Sequence, residues 1–290
     1  MKLFFSFFIL LTFSTSLLFS SDKRCKRPDF ISSLSVENSL KTLKTLQDVR
    51  RNYAALKHLC VDVINFKEGK YSWKMLLVTH PKVPKGPFWF LPHDNENEAF
   101  DAGVYATRKY GGGFLAVLSD GGRYFQGQDP NRNFGDTSAV AGHCANQSHP
   151  APKYGKTIFS IINFYKRRGL PYLALHNNTN AGGISILKSS ASVRSFPAHR
   201  DIADGKGLRD EDSLVYIAGK SKTPNTSKLN RLLGEGLNTR YELVNGQTND
   251  CSLSNYVILN RNTERYYNIE TQHGDLKTQK EMIDILLKSL

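Results

Sequence analysis

Apolar residues recur at helical spacing between positions 36 and 60: Leu40, Leu43, Leu46, Val49, Tyr53, Leu56 and Leu59. The period predicts an N-terminal helix packed outside the main domain. From Tyr71 the pattern changes. Tyr71–Thr79 reads as a strand, and Pro81, Pro84, Gly86 and Pro87 mark a loop. Short apolar runs then alternate with helical stretches. Strands are expected at 88–91, 114–118, 172–175, 214–218, 256–259 and 266–270, and helices at 98–110, 156–168, 228–236 and 277–290. Gly111-Gly112-Gly113 stops the first of these helices, and no Lys-Ser/Thr follows to make it a phosphate loop. Such alternation predicts an α/β fold: a mostly parallel or mixed central sheet, helices on both faces and an N-terminal helical arm. No internal repeat or low-complexity tract interrupts it.

The first 21 residues stand apart. Lys2 precedes a Phe/Leu-rich stretch from Leu3 to Phe19, and Ser20 and Ser21 suit cleavage before Asp22. The expected division is a signal peptide at 1–21, an N-terminal helical arm at 22–70 and a main domain at 71–290. An exported protein, periplasmic or secreted, with no stable membrane span after cleavage is the expectation. Cys25, Cys60, Cys144 and Cys251 fit an oxidising compartment, and four cysteines allow three pairings. Cys25–Cys60 would tie the arm to a helix, and Cys144–Cys251 would tie two loops.

The 290 residues carry a net charge of +13, spread without any nucleic-acid motif. Nucleic acid is therefore not an expected partner. For an exported chain, an anionic cell-wall surface is a candidate. A solvated face without a partner explains the same charge.

In open α/β sheets, function collects at the C-terminal ends of strands. The strand at 88–91 runs into Pro92-His93-Asp94-Asn95-Glu96, and the strand at 172–175 runs into His176. Imidazole and carboxylate donors suit zinc, and three such ligands leave the open fourth position of a catalytic site. Taken alone, His93-x-x-Glu96 arises readily by chance, and His176 in isolation reads slightly better as a core histidine. Asp129-Pro130-Asn131-Arg132-Asn133-Phe134 offers amide and guanidinium donors that grip a carboxylate. It also fits an ordinary Asx turn. Alternation puts Tyr266, Asn268 and Glu270 on one strand face, where a desolvated carboxylate would make a general base. His143, Cys144 and His149 form a weaker cluster, and Asn146, Asn177 and Asn225 begin glycosylation sequons.

The order of these four motifs resembles the zinc carboxypeptidase superfamily of carboxypeptidase A-like enzymes, over roughly Phe88 to Gly274. The short stretch from His93 to His176 is closer to the aspartoacylase and succinylglutamate desuccinylase branch, or to compact bacterial cell-wall carboxypeptidases. The resemblance implies one zinc ion held by His93, Glu96 and His176. It implies that Asn131 and Arg132 hold the substrate's free carboxylate, that Glu270 is the general base, and that Arg123 polarises the scissile carbonyl. The mobile tyrosine of digestive-type relatives has no clear counterpart; Tyr241 and Tyr256 are candidates. The implied substrates are peptides, cell-wall peptides among them, or N-acyl amino acids acted on by a deacylase. A binding protein that kept the fold and lost the chemistry is the non-enzymatic alternative.

Overall fold

The computed structural model describes residues 25, 27–32, 34–37, 40, 42–135, 152–180 and 182–290. The expected signal segment at 1–21 and the His143–Cys144–His149 cluster lie outside them. The N-terminal part contains α1 (Asp29–Ser32), β1 (Ser35–Glu37), a 3-10 turn (Thr42–Thr45), α2 (Gln47–Arg51) and α3 (Tyr53–Leu56). Next come β2 (Cys60–Glu68), β3 (Tyr71–Thr79), β4 (Phe88–Leu91), α4 (Asn97–Tyr110) and β5 (Gly113–Val117). A 3-10 turn (Pro130–Arg132), α5 (Pro152–Tyr165), β6 (Tyr172–Asn178) and β7 (Val193–Phe196) follow. The chain closes with β8 (Leu214–Gly219), α6 (Thr226–Gly234), β9 (Thr239–Leu243), α7 (Leu253–Asn260), β10 (Tyr266–Gln272) and α8 (Leu276–Ser289).

The described strands form one mixed sheet in the order β1-β2-β3-β5-β4-β6-β10-β8-β9-β7. Its centre is parallel, from β5 through β4 and β6 to β10. Antiparallel pairs flank the centre on both sides.

Strand alternation divides the interior into two main cores. Trp89, Leu91, Leu173, Leu175 and Ile269 point to one face, where Ala102 of α4 and Met282 of α8 cover them. Phe88, Phe90, Tyr172, Ala174 and Tyr266 point to the other, under Ile158 of α5 and Val257 of α7. The expected layering is therefore present, with helices on both faces.

The glycine triplet sets where β5 begins. Gly112 has φ +69°, and a Cβ there would stand 1.9 Å from the Pro87 carbonyl oxygen. Only glycine lets the α4–β5 turn lie against the loop that feeds β4.

Three expectations are corrected. The helix read over 36–60 is broken into β1, a 3-10 turn, α2 and α3. Leu43, Val49 and Leu56 still bury against the first core, so its apolar period is satisfied by short turns rather than one rod. The Asn52 side-chain amide donates to the Asp48 carbonyl (3.1 Å) and Asp101 Oδ1 (2.6 Å), pinning the break between α2 and α3 to α4. Second, residues 60–68 are strand β2, paired with β3 along its length. Buried Asp62 disguises the run; Arg27 compensates its charge bidentately at 2.6 and 2.9 Å. Third, the strand expected at 256–259 lies inside helix α7, where Ser252 accepts from the Asn255 N–H as N-cap.

The Cys25–Cys60 disulfide is present, with Cα atoms 5.7 Å apart, and it ties the N-terminal segment to a strand instead of a helix. Cys251 is also disulfide-bonded. Cys144 lies outside the described residues. Among the described residues, no helix is long and apolar enough to cross a membrane.

Candidate metal and catalytic centre

Three neighbouring strands deliver the central side chains to one face. β4 and β6 run parallel, as do β6 and β10, so their C-terminal ends open on the same edge. His176 and Glu270 both lie inside their strands, each two residues before the end of β6 or β10. They are direct register partners across β6 and β10. His93 and Glu96 occupy the turn that carries the chain from β4 into α4. That turn is anchored by Asp94 Oδ2, which accepts from the backbone N–H groups of Ser119 (2.7 Å) and Gly121 (2.8 Å).

His93, Glu96 and His176 are all buried, and one donor atom from each lies within 4.8 Å of the others. His93 Nδ1 stands 2.7 Å from Glu96 Oε1, and His176 Nδ1 stands 3.1 Å from Glu96 Oε2. Glu96 Oε2 accepts no hydrogen bond despite that approach. Burial alone would raise the Glu96 pKa, but the two facing imidazoles outweigh it and hold the carboxylate well below its ordinary range. A buried, ionised carboxylate converging with two imidazoles is the donor set of a cation site.

The far nitrogen of His93 is also accounted for. Asp129 Oδ1 lies 2.9 Å from His93 Nε2 and accepts from the Asn131 N–H at 2.8 Å. A carboxylate on Nε2 keeps the proton there and leaves Nδ1 free to ligate. Burial opposes ionisation of Asp129 as well, yet its bond to His93 and the nearby Arg123 keep its pKa low. Asp129 is the partner of His93 that the sequence alone does not reveal. In the sequence it reads as part of a turn, and the fold sets its carboxylate on the second nitrogen of His93.

Glu270 is buried beside this group. Desolvation is the largest influence on it and raises its pKa; His176 pulls it down and Glu96 pushes it up. Asn268, on the same strand face, donates from Nδ2 to Glu270 Oε1 at 2.8 Å. That contact fixes one carboxylate oxygen and leaves the other for proton transfer.

The two arginines also reach the cleft. Arg123 donates from Nη2 to Asp129 Oδ2 (3.0 Å), and its Nη1 lies 3.3 Å from His93 Nδ1 and 3.6 Å from Glu96 Oε1. Arg132 pairs through Nε with Asp250 Oδ2 at 3.2 Å. Asn131 Oδ1 accepts from the Leu253 N–H at 3.1 Å, so its amide remains available. All seven residues singled out from the sequence line one cavity of about 410 Å³. A side chamber of about 100 Å³ shares Asn131, Arg132, Ile184 and Glu270 with it.

The two candidate tyrosines are engaged elsewhere. Tyr241 is buried and donates to the Ser221 carbonyl at 2.5 Å. Tyr256 packs on Phe159, with centroids 4.3 Å apart. Tyr216 and Tyr266 line the side chamber instead. Asn177 is buried in β6, where its Oδ1 accepts from the Ala99 N–H at 2.8 Å, so that sequon does not present a glycan site.

No protein-family profile matches the chain. No curated protein matches its sequence. Among solved structures it is similar to a protein titled "putative metallopeptidase" from Shewanella denitrificans OS217, at 10% identity and TM-score 0.44 over 91% of this chain and 97% of that one. It is also similar to an aspartoacylase family protein from Mesorhizobium loti, at 10% identity and TM-score 0.42 over 80% of this chain and 67% of that one. A third is a succinylglutamate desuccinylase/aspartoacylase from Rhodobacter sphaeroides, at 10% identity and TM-score 0.39 over 79% and 65%.

Proposed function

We propose that this chain is a zinc-dependent hydrolase of amide bonds next to a free carboxylate, acting in the manner of a carboxypeptidase. The observation that carries the reading is the buried convergence of His93, Glu96 and His176 beside Glu270, at the ends of three adjacent strands. His93 Nδ1, Glu96 and His176 would hold the ion. Zinc so held supplies electrophilic activation of a carbonyl and of water.

The chain's own residues do the rest. Arg132 and the Asn131 amide receive the substrate's terminal carboxylate, which restricts cleavage to chain ends. Substrate at Arg132 competes with Asp250, so binding exchanges one carboxylate partner for another. Glu270, steadied by Asn268, takes a proton from the attacking water and passes it to the leaving amine nitrogen. A cation in the His–Glu–His set would offset the desolvation that raises Glu270 and return it toward a working base. Arg123 faces the same space and stabilises negative charge on the carbonyl oxygen. Burial of the ligands and of Glu270 keeps these charges in a medium where they interact strongly.

The Cys25–Cys60 bridge supports an oxidising compartment. With the basic balance of the chain, it makes exported cell-wall peptides the proposed substrate class. Intact muropeptides in the presence of enzyme that trims ordinary peptides would overturn that part.

The test compares wild type with Glu270→Gln on peptides with free C-termini, muropeptides and N-acyl amino acids. The variant is expected to keep its zinc and lose turnover. Full activity in Glu270→Gln would overturn the assignment. Preference for N-acyl amino acids over peptides would make the chain a deacylase using the same residues. Zinc binding without turnover of any substrate would favour a binding protein.

A further inference from the structure

The side chamber next to the cleft has an uneven chemistry. Among its lining residues, Glu242, Asp250 and Glu270 are carboxylates and Arg132 is the sole cation. Arg132 is paired with Asp250. Glu242 is held only by neutral donors: Ser254 Oγ at 2.9 Å and Asn255 Nδ2 at 2.8 Å. Among the described residues, no cation forms an ion pair with it. Burial, then Asp250, push the Glu242 carboxyl upward, and the hydrogen bonds from Asn255 and Ser254 and the nearby Arg132 offset this only in part.

A second, independent feature asks for the same ligand. Asn268 is 6% exposed and lines the chamber. Its Nδ2 is engaged by Glu270, while its Oδ1 is buried and accepts no hydrogen bond. A buried acceptor without a donor is costly, so a ligand that supplies an N–H gains from meeting it. The Tyr216 and Tyr266 rings and Ile184 offer apolar surface for an aliphatic stem.

Resting on the amide-hydrolase reading above, we infer that the residue bearing the free carboxylate carries a positively charged side chain, which enters this chamber and is selected by Glu242 and Asn268. Position supports it. A substrate whose carboxylate lies on Arg132 and whose scissile bond faces Glu270 has its terminal side chain next to the chamber, because both residues line its mouth. An uncharged side chain of the same shape would fill the chamber and supply no donor to Glu242 or Asn268 Oδ1. Sites built to bond a substrate group reject analogues lacking it strongly.

The test uses a pair that differs in charge and little in shape. Peptides ending in lysine, norleucine, arginine or glutamate are offered to the zinc-loaded full chain, and binding of free lysine and norleucine is measured by calorimetry. The inference predicts a kcat/KM at least 100-fold higher for lysine than for norleucine, with arginine also preferred, and lysine binding at least tenfold tighter. Glu242→Gln is expected to narrow the lysine-to-norleucine ratio below tenfold. Equal turnover and equal binding of lysine and norleucine by the wild type would overturn the inference and leave the hydrolase reading standing. Preference for glutamate would overturn it too, by making Arg132 the chamber's dominant charge. No turnover and no binding of any member would overturn both readings.

Discussion

Asp129 touches no substrate in this account, yet its removal should be felt at the metal. Its Oδ1 lies 2.9 Å from His93 Nε2, and its Oδ2 accepts from Arg123 at 3.0 Å. Asp129→Asn keeps the volume and allows one hydrogen bond to survive, but it removes the negative charge. His93 then loses both the bias toward the Nε2–H tautomer and the added basicity at Nδ1. Arg123 loses its ion-pair partner and, 3.3 Å from Nδ1, is left to compete for that nitrogen's lone pair. Changes of this kind cost about 10–100-fold in metal affinity, which is about 1.4–2.7 kcal/mol. The assay is zinc competition against a chromophoric chelator, with thermal melting of the metal-free protein as a check on folding. An affinity within threefold of wild type, in a variant that melts normally, would refute the claim that Asp129 sets the His93 tautomer.

Two further predictions concern the scaffold. Gly112→Ala would force a residue with φ +69° and a Cβ 1.9 Å from the Pro87 oxygen. The left-handed backbone alone costs about 1–2 kcal/mol. With the clash added, the variant should lose more than about 3 kcal/mol in denaturant unfolding or fail to accumulate as folded protein. A wild-type midpoint would contradict the reading of the α4–β5 turn. Replacing Cys25 and Cys60 together by serine opens a loop of sequence separation 35. Chain entropy predicts a loss of about 3–4 kcal/mol. An unchanged unfolding midpoint would mean that the N-terminal segment gains nothing from its tie to β2.

The central strands were legible because each is a short apolar run bounded by turn residues. β3 and β4 match their expected bounds residue for residue, and β5, β6, β8 and β10 lie within a few residues. The strands that escaped notice carry polar residues paired by distant partners. β2 hides Asp62 against Arg27, and β9 interleaves Arg240 and Glu242, whose partners come from loops and from α7. Tyr256–Leu259 illustrates the opposite failure. Four apolar residues fit a buried strand or a helix equally, and only the Ser252 cap separates the two. For the site, the order of His93, Glu96, Arg132, His176 and Glu270 along the chain was enough to nominate the residues. It was not enough to show how they are supported. The contacts of Asp129 with His93, Asn268 with Glu270 and Asp250 with Arg132 depend on register and loop closure. No periodicity records those.

The account stands on one claim, that His93, Glu96 and His176 hold a zinc ion. The measurement that tests it most directly is the metal content of the purified full chain, beside His176→Ala, after both are supplied with zinc and freed of excess. The account predicts about one zinc per wild-type chain and its loss in a His176→Ala variant that remains folded. No bound zinc in the wild type, or undiminished zinc in the variant, would contradict it.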